Sequence, residues 1–159
     1  MAIEDRFDRV GSHVIRYAYS AALDHPQNVI ELWTLHASPM QKRIVRASFP
    51  LLKRAFAAKL KLDTASVAKS ERKIGEALDW LADQLSDGRR YLVGGKLSVA
   101  DITAAALLAP IACPHEHPVY YRPAFRDGIV PLRAKWESHP GMIWVQEIYR
   151  AHRHELPPK

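Results

Sequence analysis

Behind Ser98, the chain runs from Val99 to Ala112 with scarcely a polar side chain, and Asp101 is the only charge in that stretch. A serine followed three residues on by an acid is a capping box. The serine hydroxyl can satisfy the Asp101 amide, and the carboxylate can reach back to the Ser98 amide. Leu97 before the cap and Ile102 after it are placed for a hydrophobic staple. A helix that is apolar almost all round has to be covered on every side. The stretch is too short to cross a bilayer, and Pro110 interrupts it. The rest of the chain must therefore build a jacket around it.

The jacket reads as helical. Ile3, Phe7, Val10, Val14, Tyr17 and Ala21 follow one another at steps of four and three, which draws one seam along a helix. Asp24-His25-Pro26 ends it, and Pro26 can open a short helix through Val29, Ile30, Trp33 and Leu35. Ser38-Pro39-Met40-Gln41 is a second capping box, and Ile44, Val45, Ser48, Leu52, Ala55, Phe56 and Leu60 continue at helical spacing. Pro50 is expected to kink or split this helix near Phe49. From Asp63-Thr64 a further helix carries Val67, Ile74, Leu78, Leu81 and Leu85 on its core face, and Asp87-Gly88 is its expected stop. Gly94-Gly95 make a turn before Ser98. Pro110, Pro114, Pro118, Pro123 and Pro131 predict a long irregular excursion with short helical pieces only. Val130 to Trp136 and Met142 to His152 are the last amphipathic elements, followed by the tail Leu156-Pro157-Pro158-Lys159. Nothing alternates with period two, so no strand is predicted. The reading is a single all-α domain over residues 1–159, of about seven helices, a length that can bury a core without staples.

Charge narrows the function classes. The formal net charge is +6, and seven of the 23 lysines and arginines lie between Ser38 and Leu62, where there is no acid, leaving 16 to face 17 acids elsewhere. A solvated helix face is the favoured reading, and a basic amphipathic surface for an acidic protein, a nucleic acid or an anionic membrane is the alternative. Without aromatic interleaving or a recognised motif, a nucleic-acid partner is not expected. Met1 to Arg9 alternates acids and bases, which is not a signal peptide, and the single cysteine, Cys113, cannot close an internal disulfide. The expectation is a cytoplasmic protein without a membrane span.

Tyr91-Leu92-Val93-Gly94-Gly95-x-Leu97-Ser98-x-Ala100-Asp101-Ile102 resembles the signature of the glutathione-transferase C-terminal domain. There an aromatic-Leu-x-Gly stretch feeds a capping box on a buried central helix, and the order of helices agrees over essentially the whole chain. The resemblance implies a glutathione-transferase C-terminal-like bundle. Pro26 to Leu62 departs from it as extra helical sequence between the family's first and second helices, similar to metaxin-like proteins. The family's glutathione site lies in a thioredoxin-like domain, and these 159 residues contain no βαβ unit or Cys-Pro-x-Cys motif to match it.

Several implications follow from the resemblance. The chain is a transferase-like helical domain, and glutathione enters only if a thioredoxin-like domain is supplied by a partner or a longer parent protein. By analogy the first helix forms the hydrophobic co-substrate wall, through Phe7, Val10, Val14 and Tyr17. Those four also read as packed core, or as an exposed patch that recruits a second copy. A homodimer or a thioredoxin-like partner is the expected company. The alternative function is a non-catalytic binding or assembly module.

The residues themselves name no catalytic group. Cys113-Pro114-His115-Glu116-His117 clusters metal-ligand types, but structural zinc sites draw four ligands from paired motifs and no second pair exists, so no metal is expected. His13, His25, His36, His139, His152 and His154 stand at no triad spacing. Ile111 and Ala112 beside Cys113 predict a buried, inert thiol. Ser98 and Asp101 read as structural: they satisfy amides that a buried helix start would otherwise orphan.

Overall fold

A computed structural model describes residues 3–153. His154 and the predicted tail Leu156-Pro157-Pro158-Lys159 lie outside the described residues. The described chain is seven α-helices and a short 3-10 turn, with no strand among them: α1 Ile3–Ala22, α2 Pro26–Trp33, α3 Pro39–Leu60, α4 Thr64–Gln84, α5 Val99–Ala112, α6 Pro123–Arg133, the turn Ala134–Trp136 and α7 Pro140–His152. The all-α expectation holds, built around α5, which packs chiefly against α1 and α7, while α1 also packs on α4.

Local chemistry sets the helix starts. Ser38 Oγ accepts from the Gln41 amide at 3.3 Å and Gln41 Oε1 accepts from the Ser38 amide at 2.7 Å, so the α3 capping box is complete. Asp63 caps α4 through the Ser66 amide at 2.8 Å. At α5 the arrangement is richer. Asp101 is fully buried, and its carboxylate accepts from the Ser98 amide (2.8 Å), the Ser98 hydroxyl (2.6 Å) and the Leu92 amide (2.7 Å). The Ser98 hydroxyl sits over the Asp101 amide in capping position, but its full hydrogen bond goes to the carboxylate. Asp101 thus ties the loop before α5 to its first turn, and Trp144 Nε1, donating to Arg90 O at 2.9 Å, ties that loop to α7.

Gly141 lets α7 approach α4. A Cβ there would sit 2.8 Å from Leu78 O and 3.2 Å from Leu78 Cα, backbone atoms that cannot swing aside. Pro140 occupies the first turn of α7, where its missing N–H costs nothing, and His139 Nδ1 accepts from the Gly141 amide at 3.1 Å.

Four expectations are corrected. The central helix is not covered all round: Ala104, Leu108, Ala109 and Ile111 are fully buried, but Val99 is 67% and Ile102 53% exposed, and Ala106 is exposed with them. Apolar composition says that a helix wants a cover; on this stripe no described element supplies one. Pro50 does not split α3, which runs on to Leu60. Proline removes one ladder bond, and here Phe49 and Phe56 hold the helix on both sides of it against Trp33, with ring centroids 6.0 and 4.7 Å apart. Gly88 is left-handed (φ +81°) but follows a turn beyond Leu85, which ends α4. The excursion is also shorter than expected. Pro123 opens α6 at a position that needs no donor, and the helix passes through Pro131.

The core is divided. The larger part joins α1, α4, α5 and α7, with Ile129 and Trp136. A separate cluster of Leu23, Val29, Ile30 and Phe49 holds α2 and α3 to the end of α1.

Candidate functional site

The seam on α1 is core. Phe7, Val10, Val14 and Tyr17 are between 0 and 8% exposed, covered by α4 and α5. As an uncovered recruiting patch the seam is therefore corrected. The Tyr17 hydroxyl donates to Leu132 O at 3.3 Å, and Phe7 meets Trp80 edge-on at 5.9 Å, so both rings have partners within the bundle.

The next face of α1 does meet a cavity. Ile15, Ala18, Tyr19 and Ala22 form one wall of an apolar cleft of about 230 Å³. The facing walls come from Trp33 on α2, Pro110 on α5, Tyr120 of the loop before α6, and Phe125 on α6. The cleft thus lies where the α2–α3 cluster meets the main bundle. Trp33 Nε1 donates to the Tyr19 hydroxyl at 3.2 Å, which leaves the tyrosine proton free to serve an acceptor. Burial pushes the Tyr120 hydroxyl pKa up, so that group stays a neutral donor. Engineered apolar cavities of about 150 Å³ accept benzene, so this cleft has room for a ring and a short substituent.

Residue types alone did not mark this lining. Tyr19 lies two residues past the last large member of the seam, and Trp33 belongs to the extra helices. The available signal was a surplus of aromatic residues outside the α1 seam and the apolar stretch Val99 to Ala112: Tyr19, Trp33, Phe56, Tyr120 and Phe125.

The Cys113–His117 stretch serves the loop. His117 Nδ1 accepts from the amides of Val119 (3.2 Å) and Tyr120 (3.1 Å), and its ring stacks on Tyr120 at 3.9 Å. Burial, with Arg153 adding to it, pushes the His117 pKa down to about 4, so the ring is a neutral acceptor near pH 7. Cys113 is buried in a left-handed conformation at the end of α5, and burial pushes its thiol up to about 11 despite the pull of Arg133. A thiol held protonated is not a nucleophile. Among the described residues no three His, Cys, Asp or Glu side chains converge as a metal set. Asp101 and Ser98 spend their bonds on backbone amides and on each other.

A second apolar feature is the uncovered stripe of α5. Leu97, Ile102 and Ala106 line a shallow groove that Ile148 and Tyr149 of α7 complete. No helix of the described residues is long and apolar enough to cross a membrane.

Residues 64–134, just under half of the chain, match the family model for the glutathione S-transferase C-terminal domain. Comparisons with curated proteins and with solved structures gave no match.

Proposed function

We propose that the whole chain, 1–159, of which residues 64–134 match the glutathione S-transferase C-terminal domain, is one such domain supplying the apolar co-substrate wall of a transferase-like protein. The thiol-activating half would then be a thioredoxin-like domain, contributed by a partner or by a longer parent protein. The observation that carries this reading is the aromatic cleft against α1. Its walls suit an electrophile with an aromatic or short aliphatic body, and the Tyr19 hydroxyl would orient a nitro or carbonyl oxygen. The wall belongs to α1, as the resemblance implies, but through Ile15, Ala18, Tyr19 and Ala22. For Phe7, Val10, Val14 and Tyr17 the role becomes fixing that helix in register. A cytoplasmic location goes with this reading, because glutathione and free thiols are kept reduced there.

The test is binding of 1-chloro-2,4-dinitrobenzene, followed by tryptophan quenching, in the natural chain and in Ala22→Phe, which fills the cleft. Saturable quenching that disappears in Ala22→Phe and in Trp33→Phe is expected. The isolated chain should give no glutathione conjugation above the uncatalysed rate. Quenching untouched by Ala22→Phe would remove the cleft from the account, and conjugation by the chain alone would overturn the division of labour.

The uncovered stripe of α5 favours a second reading, a binding or assembly module. Apolar surface at Val99 and Ile102 on the central helix of a bundle is what a docking body would cover. If that body is a second copy, sedimentation should show a dimer that Ile102→Glu converts to monomer. A monomer at all concentrations would leave a thioredoxin-like partner as the occupant.

A further inference from the structure

A second cleft, of about 420 Å³, is polar and opens between α6, α7 and the loop after α5. Arg126 and Arg133 stand seven residues apart on α6, hence on one face, and Gln146 and Arg150 stand four apart on α7. All four line this cleft, with Cys113 and His115 at its α5 end. Three arginines and no lysine meet there, against one lining carboxylate, Glu116.

Arg133 is the fixed point. Its side chain is only 13% exposed, and its Nη1 donates to Ala112 O at 3.1 Å, the same carbonyl that Gln146 Nε2 reaches at 3.3 Å. A cation at the carboxyl end of α5 is favoured by the helix dipole, which explains its place. That bond uses one of five guanidinium donors. No side-chain nitrogen or oxygen among the described residues is both sealed off and unpartnered, and Arg133 lines the cleft, so its remaining nitrogens reach solvent or the Cys113 thiol beside it. Competing acids lie at the rim. Asp127 is 3.7 Å from Arg126 and Glu137 3.9 Å from Arg133, but their side chains are 65% and 73% exposed, where solvent screens such pairs.

One nearly buried guanidinium, Arg133, and two at the surface, Arg126 and Arg150, converge on a cleft whose only lining carboxylate is Glu116, and the longer pairs with Asp127 and Glu137 are screened. Such a cluster is arranged as an oxyanion receptor, because each planar fork offers paired donors to a carboxylate or phosphate. We infer that this cleft binds a compact dianionic oxyanion, either a phosphate group or a short dicarboxylate. The site is independent of the aromatic cleft and of the proposed transferase role.

Calorimetric titration of the whole chain with inorganic phosphate, and separately with succinate, tests this at constant ionic strength set with sodium chloride. Saturable binding of at least one is expected, together with a rise in melting temperature. Arg126→Ala and Arg150→Ala, side chains at the surface that the fold does not need, should each weaken it at least tenfold. Arg72→Ala, an arginine that does not line this cleft, should leave it unchanged. Phosphate alone binding assigns the site to phosphate groups, and succinate alone to carboxylates. Neither binding, or equal binding by the Arg126→Ala/Arg150→Ala double variant, overturns the inference.

Discussion

The bundle of α1, α4, α5 and α7 and the annex of α2 and α3 are both helical, yet they are held in different ways. In the bundle, fully buried side chains such as Phe7, Ile74, Leu78, Leu108 and Met142 interlock across four helices. In the annex, four buried residues are supplemented by an aromatic stack, Tyr19, Trp33, Phe49 and Phe56. Two polar ties join its long helix to the rest: Arg16 Nε donating to Leu60 O at 2.6 Å, and Lys53 with Asp24 at 3.2 Å. The outer side of α3 leaves Met40, Ile44 and Leu51 exposed among its lysines and arginines. Local stability follows buried apolar contact, and α3 packs chiefly on α2 while α2 packs also on α6, so α3 should open without the bundle. The aromatic cleft lies on the boundary between the two, where a movable wall would admit a ligand.

The sharpest way to break this comparison is to cut the same kind of group from each side. Leu108→Ala should lower global stability by about 3–4 kcal/mol, since the residue is fully buried between packed helices. Phe56→Ala should change the main unfolding midpoint by less than about 1 kcal/mol while exposing α3 to proteolysis, because it packs on Trp33 of the annex and, in the bundle, on Tyr19 near the end of α1. Equal effects in the two variants would mean that the molecule unfolds as one unit.

Asp101→Ala should cost about 3 kcal/mol in chemical denaturation. Capping alone would cost about 1–2 kcal/mol; the excess comes from the Leu92 amide, left without its acceptor beside a buried helix start. An unchanged midpoint would remove the buried carboxylate from the bundle's supports.

The His117 loop is intermediate in size of effect. Its folded-state pKa lies near 4, below the ordinary value of 6.5. Between those pH values the unfolded chain takes up a proton that the folded chain refuses. The stability it contributes is therefore present above about pH 6.5 and is lost as pH falls toward 4, by on the order of 2 kcal/mol after solvent screening. His117→Asn keeps an acceptor for the two loop amides and should flatten that part of the stability–pH curve. A slope identical to that of the natural chain would assign the acid sensitivity to other groups.

Ser38→Ala should have the smallest effect, about 1 kcal/mol or less. It removes one half of an exposed capping box on the annex and should speed hydrogen exchange only in the first turns of α3.

Much of this was legible in the residues because it is local. The Ser38–Gln41 and Ser98–Asp101 starts depend on residues within one turn of each other, and the α1 seam is a repeat of steps of three and four along one helix. The exposure of Val99 and Ile102 was not legible, since the apolarity of a helix records a need for cover and not where the cover comes from. Prolines were overread as breaks, because Pro123 and Pro131 cost little in a helix whose neighbours pin it. The aromatic cleft was hidden for a different reason. Its walls come from α1, α2, α5 and α6, and Tyr19 and Phe125 meet there across more than a hundred residues of chain.

Hydrogen–deuterium exchange on the intact chain weighs the two regions against each other directly. The account predicts that amides of α4 and α5 exchange only through global unfolding, while those of α3 exchange through a separate, lower-energy opening that a ligand in the aromatic cleft suppresses. Protection in α3 equal to that in α5, with or without ligand, would contradict it.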